Sequence, residues 1–172
     1  MVIMFLGGMM FSKLKPDYYY KDIFDIDFLY FKEKGYQGII CDIDNTIIPW
    51  SDKEPLREVI DWLEELEKMG FSLCLVSNGR KRRVKEISDY LGIPAVGQAV
   101  KPTRSAYRQA IKRLGMGKDK ILVLGDQIFT DILGGNRVGL KTILVDPMDK
   151  EEFITTKMLR FLEKIIYQRE GA

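Results

Sequence analysis

The chain has 172 residues, enough for one domain with a hydrophobic core, and its 46% apolar and 30% charged residues are typical of a globular protein. Its formal net charge of +2 is too small to indicate a nucleic-acid-binding protein, so no nucleic-acid partner is expected. The absence of histidine excludes Ser-His-Asp triads, zinc sites with histidine ligands and histidine phospho-relays. Any chemistry must therefore use carboxylates, hydroxyls, lysine and a hard metal ion such as magnesium.

We predict an apolar N-terminal extension at residues 1–15, followed by one domain at residues 16–172. The apolar run at residues 1–11 is too short to span a bilayer, and it lacks the basic start and the cleavage pattern of a signal peptide. Three interpretations stay open: a disordered start, a start codon upstream of the true one at Met9 or Met10, or an interfacial membrane anchor.

The apolar run at residues 38–41 predicts a strand that leads directly into Asp42, Asp44, Asn45 and Thr46. Residues i and i+2 of an extended chain project to the same side, so the two carboxylates can face one reacting centre. Two crowded carboxylates repel each other unless a cation neutralises them or one holds a proton. An isolated Asp-x-Asp is more often a polar turn with an Asx cap, so its meaning depends on the later motifs.

Apolar strand-like runs alternate with helical patterns along the rest of the chain, which is typical of an α/β fold with a parallel sheet and helices on both faces. The first helical pattern runs from Leu56 to Met69, and Ser51, Glu54 and Pro55 predict its start. The later predicted strands are residues 72–76, 95–100, 121–124 and 142–145. The later predicted helices are residues 81–91, a helix that starts after Pro102 and ends near Leu114, a short helix between Asp131 and Gly139, and a terminal amphipathic helix with Phe153, Met158, Leu162 and Ile166.

Polar residues stand at the ends of these strands. They are, in chain order, Ser77 with Asn78 and Gly79, Lys101 with Pro102, and Asp126 with Asp131 close behind. Ligands of open α/β sheets bind outside the carboxyl ends of the strands. We therefore predict one site where Asp42, Ser77, Lys101 and Asp126 meet.

The order D-x-D-x-T, then Ser after a strand, then Lys, then G-D-x-x-x-x-D resembles the haloacid dehalogenase (HAD) superfamily of phosphatases. The segments DIDNTIIPW, VSNGR, AVKP and GDQIFTDILGGNRVGLKTILVDP are similar to its IIIA subclass and, within it, to the YqeG-like branch related to phosphatidylglycerophosphate phosphatases. The resemblance covers roughly residues 16–167. It implies a single Rossmann-like HAD domain and a Mg²⁺-dependent phosphomonoester hydrolase that forms an aspartyl-phosphate.

Chemistry and resemblance agree on the catalytic roles. Asp42 is expected to be the nucleophile, and Asp44 is expected to protonate the leaving alkoxide and then deprotonate the attacking water. We expect Mg²⁺ between Asp42, Asp126 and the substrate oxygens. The resemblance adds the backbone carbonyl of Asp44 as a ligand, and Asp131 is expected to bind through water or to orient the metal shell.

The remaining predicted residues hold the phosphate. Ser77 is expected to hydrogen-bond a phosphate oxygen with help from the N–H groups of Asn78 and Gly79. Lys101 is expected to pair with the phosphoryl oxygens and with Asp42. Thr46 is expected to order its turn.

Cap domains of HAD phosphatases are inserted between these motifs, but here the gaps are short. Only 30 residues separate Thr46 from Ser77, and 23 separate Ser77 from Lys101. Each gap already contains a predicted strand or helix, and an extra domain needs about 50 residues. We therefore predict a capless domain whose open site admits a large substrate, or one that another subunit or a membrane shields.

A basic cluster follows the serine motif, with Arg80, Lys81, Arg82, Arg83 and Lys85 at the start of a predicted helix. One interpretation is a solvated helix face. The other is a basic rim beside the phosphate pocket that attracts an anionic substrate or an anionic membrane surface.

Three rival functions are weighed against the phosphatase. Cys74 to Arg80 satisfies the C-x5-R signature of cysteine phosphatases, but Cys74 lies in an apolar strand-like run, where a reactive thiolate is disfavoured. A receiver-like signalling module also uses acids, a Ser or Thr and a Lys, but the second acid, Asp44, favours turnover. The third rival is a protein that binds phosphorylated partners and has lost its activity. Such a protein would be expected to lack a catalytic residue, and this sequence lacks none.

The predicted partner is a phosphorylated substrate, with phosphatidylglycerophosphate favoured and a soluble phosphorylated metabolite or phosphoprotein as the alternative. We predict a cytoplasmic protein with peripheral membrane contact as an option, because Cys41 and Cys74 both lie in apolar runs rather than in a disulfide pattern.

Overall fold

A parallel six-stranded sheet organises the structure, a computed structural model that describes residues 12–149. The strands are β1 Tyr18–Tyr20, β2 Gly38–Cys41, β3 Ser72–Val76, β4 Ala95–Val96, β5 Ile121–Gly125 and β6 Lys141–Val145, in the sheet order β1-β6-β5-β2-β3-β4. The helices are α1 Phe28–Glu33, α2 Arg57–Lys68, α3 Lys81–Leu91, α4 Arg104–Leu114 and α5 Leu133–Val138. Short 3-10 turns lie at Ser12–Leu14, Ile23–Asp25 and Lys118–Lys120, and a π-helical turn at Ile128–Ile132 precedes α5.

The three central strands are buried on both faces, which is why they are nearly continuous apolar runs. Cys41 of β2 is in register with Leu75 of β3 and Leu124 of β5. Because the strands are parallel and in register, the residues that follow them reach the same edge of the sheet. This alignment brings Asp42, Ser77 and Asp126, which follow β2, β3 and β5, to one edge of the sheet.

The helices cover both faces of the sheet, as predicted. One buried cluster joins the central strands to α1, α2 and α3 through Phe31, Leu63 and Ile87. The other joins them to α4 and α5 through Tyr107 and Val138. Only single helices lie in the gaps between β2, β3 and β4, so the domain is capless.

The predicted ends of α3 and α4 are confirmed, but the predicted start of α2 is wrong. Gly92 and Gly115 end α3 and α4 with φ of +70° and +67°, a backbone conformation that glycine adopts without a Cβ penalty. Helix α2 begins at Arg57 with Leu56 as its N-cap, and no side chain caps it. The hydroxyl of Ser51 donates to Asp52 instead, at 3.4 Å, so Ser51 does not cap the helix as its predicted start required.

Other segments differ from the predicted boundaries. Strand β4 ends at Val96 instead of continuing to Val100, because Gln98 and Val100 adopt φ of +50° and cannot extend a strand. Asp131 lies inside the π-helical turn rather than before the helix. The sequence reasoning missed β1, which pairs with β6, and α1.

Most residues of the predicted N-terminal extension and of the predicted terminal helix lie outside the described range. Within it, Ser12–Leu14 packs on the domain, with Leu14 buried and the side-chain amide of Asn136 donating to the carbonyls of Lys13 and Lys15. The predictions for residues 1–11 and for the terminal helix at residues 153–166 fall outside the described residues. Between residues 12 and 149, none of the helices has the length and apolar character needed to cross a bilayer.

Candidate active site

The candidate active site lies at the carboxyl edge of the central strands. Asp42 follows β2, Ser77 follows β3 and Asp126 follows β5, and the backbone N–H of Asp42 donates to Leu124 of β5 at 2.9 Å. Lys101 enters from the loop after β4, where it is only 8% exposed. A buried lysine is rare and requires compensating charges.

Two carboxylates compensate the buried lysine. The Lys101 Nζ lies 2.5 Å from Asp42 Oδ1 and 2.7 Å from Asp131 Oδ1. The side chains of the lysine and of both aspartates are almost completely buried. Burial opposes the ammonium charge, but Asp131 and Asp42 outweigh it and raise the pKa of Lys101 well above its ordinary value. The lysine is therefore a fixed positive charge beside Asp42.

Three buried carboxylates form a cluster at this edge: Asp42, Asp126 and Asp131 bring oxygens within 4.8 Å of one another. Burial raises the pKa of Asp42 well above its ordinary range, Lys101 opposes that rise, and Asp131 and Asp126 add to it. One lysine would not balance the three carboxylates if all of them carried charge, and a divalent cation would supply the missing positive charge. A set of hard oxygen ligands with excess negative charge in a buried setting fits a divalent cation such as Mg²⁺.

Asp131 is held in this cluster by its own turn and by α4. Its Oδ2 accepts from the N–H of Gln127 at 3.3 Å and from the hydroxyl of Thr130 at 3.2 Å. The buried hydroxyl of Tyr107 lies 3.4 Å from its Oδ1 and donates to the Thr130 carbonyl at 3.1 Å. The sequence analysis expected Asp131 to bind the metal through water or to orient the metal shell, and the structure places one of its carboxylate oxygens within 4.8 Å of those of Asp42 and Asp126.

The second aspartate of the motif faces different partners. Asp44 accepts a hydrogen bond from the hydroxyl of Ser77 at 3.0 Å through Oδ2, and its Oδ1 forms an ion pair with the guanidinium of Arg83. Both members of this ion pair are partly buried. The N–H of Gly79 donates to the Ser77 hydroxyl at 2.9 Å, which orients that hydroxyl toward Asp44.

The polar turns around the site are ordered by side-chain amides. The Oδ1 of Asn78 accepts from the backbone N–H of Lys101 at 2.6 Å and so links the serine loop to the lysine loop. Asn45 has φ of +63° and its Oδ1 accepts from the N–H of Trp50 at 2.9 Å. Thr46 is buried in the same turn, and its hydroxyl makes no hydrogen bond with the residues that the structure describes.

Two residues at the site had no predicted individual role. Arg83 was only one member of the basic cluster, and its position in the first turn of α3, after the serine loop, was the available signal. Tyr107 lies on α4, far along the chain from Asp131, and no local pattern distinguishes it from an ordinary core aromatic. Contact between distant segments, which a single sequence does not reveal, identifies both.

The cysteine-phosphatase alternative is not supported by the structure. Cys74 is fully buried within β3, and burial raises the pKa of its thiol to about 11. Cysteine nucleophiles require an accessible thiol with a lowered pKa. Cys74 therefore does not fit the role of a nucleophile.

Comparisons with known proteins agree with this geometry. A family model for haloacid dehalogenase-like hydrolases matches residues 39–139. The chain is 40% identical over 151 residues to the probable phosphatase YqeG of Bacillus subtilis, with 88% of each chain covered. It is 29% identical to phosphatidylglycerophosphate phosphatase 1 of Arabidopsis thaliana over 87% of this chain and 46% of that protein, so it spans about half of that relative.

Solved structures share the fold at low sequence identity. An uncharacterized protein from Listeria monocytogenes superposes with a TM-score of 0.55 and 17% identity over 68% of this chain and 84% of its own. The cobalt-bound deoxy-D-mannose-octulosonate 8-phosphate phosphatase of Haemophilus influenzae superposes with a TM-score of 0.52 and 14% identity, over 81% of this chain and 92% of its own. The family match, the relative in Bacillus subtilis and the capless parallel sheet together show that the chain belongs to the haloacid dehalogenase-like hydrolases and is a phosphatase of that family.

Proposed function

We propose that the chain is a Mg²⁺-dependent phosphomonoesterase that uses Asp42 as its nucleophile and Asp44 as its general acid and base. The observation that carries the proposal is the buried contact of Asp42 with Lys101, in a cluster with Asp126 and Asp131. A buried carboxylate at a strand end, beside a fixed cation and two further acids, is suited to attack an electrophilic phosphorus.

The reaction has two steps in which the same pair of acids acts. In the first, a carboxylate oxygen of Asp42 forms a bond to phosphorus while the ester oxygen leaves and takes a proton from Asp44. In the second, Asp44 removes a proton from water, the water oxygen attacks phosphorus, and the bond to Asp42 breaks. Inorganic phosphate leaves, and both acids return to their starting forms.

The other side chains orient and neutralise the phosphoryl group. Lys101 stays protonated because of its two carboxylate neighbours, so it can pair with a phosphoryl oxygen beside Asp42. The hydroxyl of Ser77 donates to one oxygen of Asp44, and in this proposal it also contacts a phosphate oxygen when substrate is bound. The backbone N–H of Asn78 would add a donor to the anion site, whereas that of Gly79 already donates to Ser77.

The three-carboxylate cluster suits the metal that this reaction requires. Asp42 and Asp126 would hold Mg²⁺ with the backbone carbonyl of Asp44, and Asp131 would bind it or orient its shell. When bound, Mg²⁺ supplies positive charge that neutralises the phosphoryl oxygens during transfer.

Phosphatidylglycerophosphate is the proposed substrate. The phosphatidylglycerophosphate phosphatases of Arabidopsis thaliana and Chlamydomonas reinhardtii are relatives, at 29% and 27% identity, and the capless site leaves space for a large substrate. Because such a lipid lies at a membrane surface, we also propose peripheral membrane contact by a cytoplasmic protein. A soluble substrate is the alternative, since a phosphoglycolate phosphatase of Aquifex aeolicus is 31% identical over 53% of this chain.

Phosphate release by the purified protein tests the proposal. Phosphatidylglycerophosphate in mixed micelles is compared with glycerol 3-phosphate and nucleoside monophosphates, each with Mg²⁺ and with EDTA. We expect Mg²⁺-dependent release, fastest with the lipid, and none from the Asp42→Asn variant. Substantial activity of Asp42→Asn would contradict the mechanism, and equal turnover of the soluble esters would contradict only the lipid.

A further inference from the structure

A groove with a volume of about 600 Å³ lies between residues 53–55 and α3. Its connection to the site is Arg83, which lines the groove and pairs with Asp44. In the proposed mechanism Asp44 donates its proton to the leaving ester oxygen, so the alcohol part of the substrate must lie next to Asp44. The groove, which Arg83 links to Asp44, is the neighbouring space that could receive that alcohol.

The charge of the groove is positive on balance. Lys53, Arg80, Arg82 and Arg83 line it, against the acids Glu54 and Glu86. Arg82 pairs with Glu86 at 2.8 Å and Arg83 with Asp44, whereas Arg80 forms no ion pair with any residue between 12 and 149. The first turn of α3 contains no acid, and no side chain caps its N-terminus, so the helix dipole adds to the positive potential.

The rest of the groove is apolar. Ile87 and Tyr90 of α3 and Pro55 form this part of the wall, and Tyr90 is 58% exposed. A cationic end next to an apolar wall matches a ligand with an anionic group and a carbon chain.

We propose that this groove binds a second anionic group, a phosphate or phosphodiester, on the alcohol side of the substrate, with Arg80 as its principal contact. The inference rests on the proposed phosphatase function and narrows its substrates to phosphomonoesters whose alcohol carries another negative charge. Of the four cations that line the groove, Arg82 and Arg83 have acidic partners, whereas Arg80 and Lys53 form no ion pair with residues 12–149, so neither has a partner to release first. Arg80 is the arginine of these two. An arginine can hold a phosphate oxygen pair with two parallel hydrogen bonds.

The test compares esters that differ in the second anion. Glycerol 3-phosphate has none, the deacylated headgroup glycerophosphoglycerol phosphate has one, and phosphatidylglycerophosphate in mixed micelles has one on a lipid. We measure the ratio of kcat/KM for each anionic substrate to that for glycerol 3-phosphate, in the wild type, in Arg80→Gln and in Arg108→Gln. Arg108 is an exposed residue of α4, on the other face of the sheet, and serves as the matched control.

We expect Arg80→Gln to lower this ratio about tenfold for both anionic substrates, which is the loss of one charge-assisted hydrogen bond. The control variant should keep the wild-type ratio. An unchanged ratio in Arg80→Gln would overturn the inference. So would a loss confined to the micellar lipid, since the arginine would then contact the membrane surface rather than the second phosphate.

A binding measurement separates this inference from the proposed function. Glycerophosphoglycerol, which has the phosphodiester but no monoester, is titrated into the protein and followed by NMR. Weaker binding to Arg80→Gln than to Arg108→Gln supports the groove even if the protein hydrolyses none of the esters, in which case only the proposed function fails. Equal binding to both variants would overturn the groove.

Discussion

At the scale of single residues, Lys101 has the most demanding position in the site. It is buried between Asp42 and Asp131, so the fold takes an ammonium and its carboxylate partners out of water together. Such a group is tolerated only while its partners remain, because a lone buried charge costs several kcal/mol. The site thus depends on Lys101 for the stability of the folded chain as well as for the proposed reaction.

Replacing this lysine should therefore lower stability and abolish turnover. In Lys101→Ala the three carboxylates lose their one buried cation, and we expect the free energy of unfolding to fall by about 3–5 kcal/mol in EDTA. Mg²⁺ should restore part of the loss. Urea unfolding with and without Mg²⁺ measures both effects. Lys85→Ala, which breaks an exposed pair with Asp89, should cost less than about 1 kcal/mol, and an equal loss in both variants would contradict the argument.

Arg83 is a positioning residue, because it acts through the carboxylate of Asp44. In Arg83→Gln the ion pair is lost, which leaves the Ser77 hydroxyl as the side-chain donor to that carboxylate among residues 12–149. We expect kcat on a small monoester to fall about tenfold, with a smaller change in KM, since proton transfer requires an oriented acid. Steady-state kinetics measure this, and Arg83→Lys should recover part of the loss. A change in KM alone would show that Arg83 contacts the substrate instead.

At the scale of secondary-structure elements, the end of β5 determines where Asp131 lies. A Cβ on Gly125 would overlap the carboxyl group of Asp131, so only glycine lets the π-helical turn approach the strand so closely. The acidic cluster thus depends on a small residue in a strand as well as on its three aspartates.

Substituting this glycine should displace Asp131. Gly125→Ala should cost about 1–3 kcal/mol of stability and reduce Mg²⁺ affinity and activity together. Isothermal titration with Mg²⁺ and urea unfolding measure the two effects. Gly117→Ala is the control, because the Cβ there would meet only the exposed side chain of Asp119. Wild-type Mg²⁺ affinity in Gly125→Ala would show that Asp131 is dispensable for the metal.

The elements also show what the sequence could and could not predict. The bounds of α3 and α4 follow from local periodicity and from the glycines that end them, so the sequence predicted both. The predicted start of α2 was wrong because its N-cap is Leu56, whose side chain cannot form the capping hydrogen bond that marks a helix start in a sequence. β1 is three tyrosines held by pairing with β6, and such long-range pairing leaves no local pattern.

At the scale of the whole molecule, the order of the strands assembles the site. β2 lies between β5 and β3, so the turns after these strands meet although their residues are far apart in sequence. The four predicted strand-end residues could be placed at one edge because parallel strands present their carboxyl ends together. The contact of Lys101 with Asp42 was also expected, and the structure contains it. The pairing of Asp44 with Arg83 could not be predicted, because it depends on how α3 packs beside the turn after β2.

The positions of the thiols and carboxylates in the fold determine whether iodoacetamide or EDTA should abolish the phosphatase activity. Cys41 and Cys74 are buried in central strands, and with a pKa of about 11 the thiol of Cys74 is about 0.1% ionised at pH 8. We therefore expect iodoacetamide at pH 8 to leave the phosphatase activity of the folded protein intact, while EDTA removes it and added Mg²⁺ restores it. Mass spectrometry of the treated protein checks that neither thiol is alkylated, and unfolding in urea should expose both as the internal control. Inactivation by iodoacetamide with activity retained in EDTA would contradict the aspartate mechanism and return the nucleophile to Cys74. Resistance to iodoacetamide and loss of activity in EDTA are expected because the thiols lie inside the sheet, whereas the carboxylates lie at its edge.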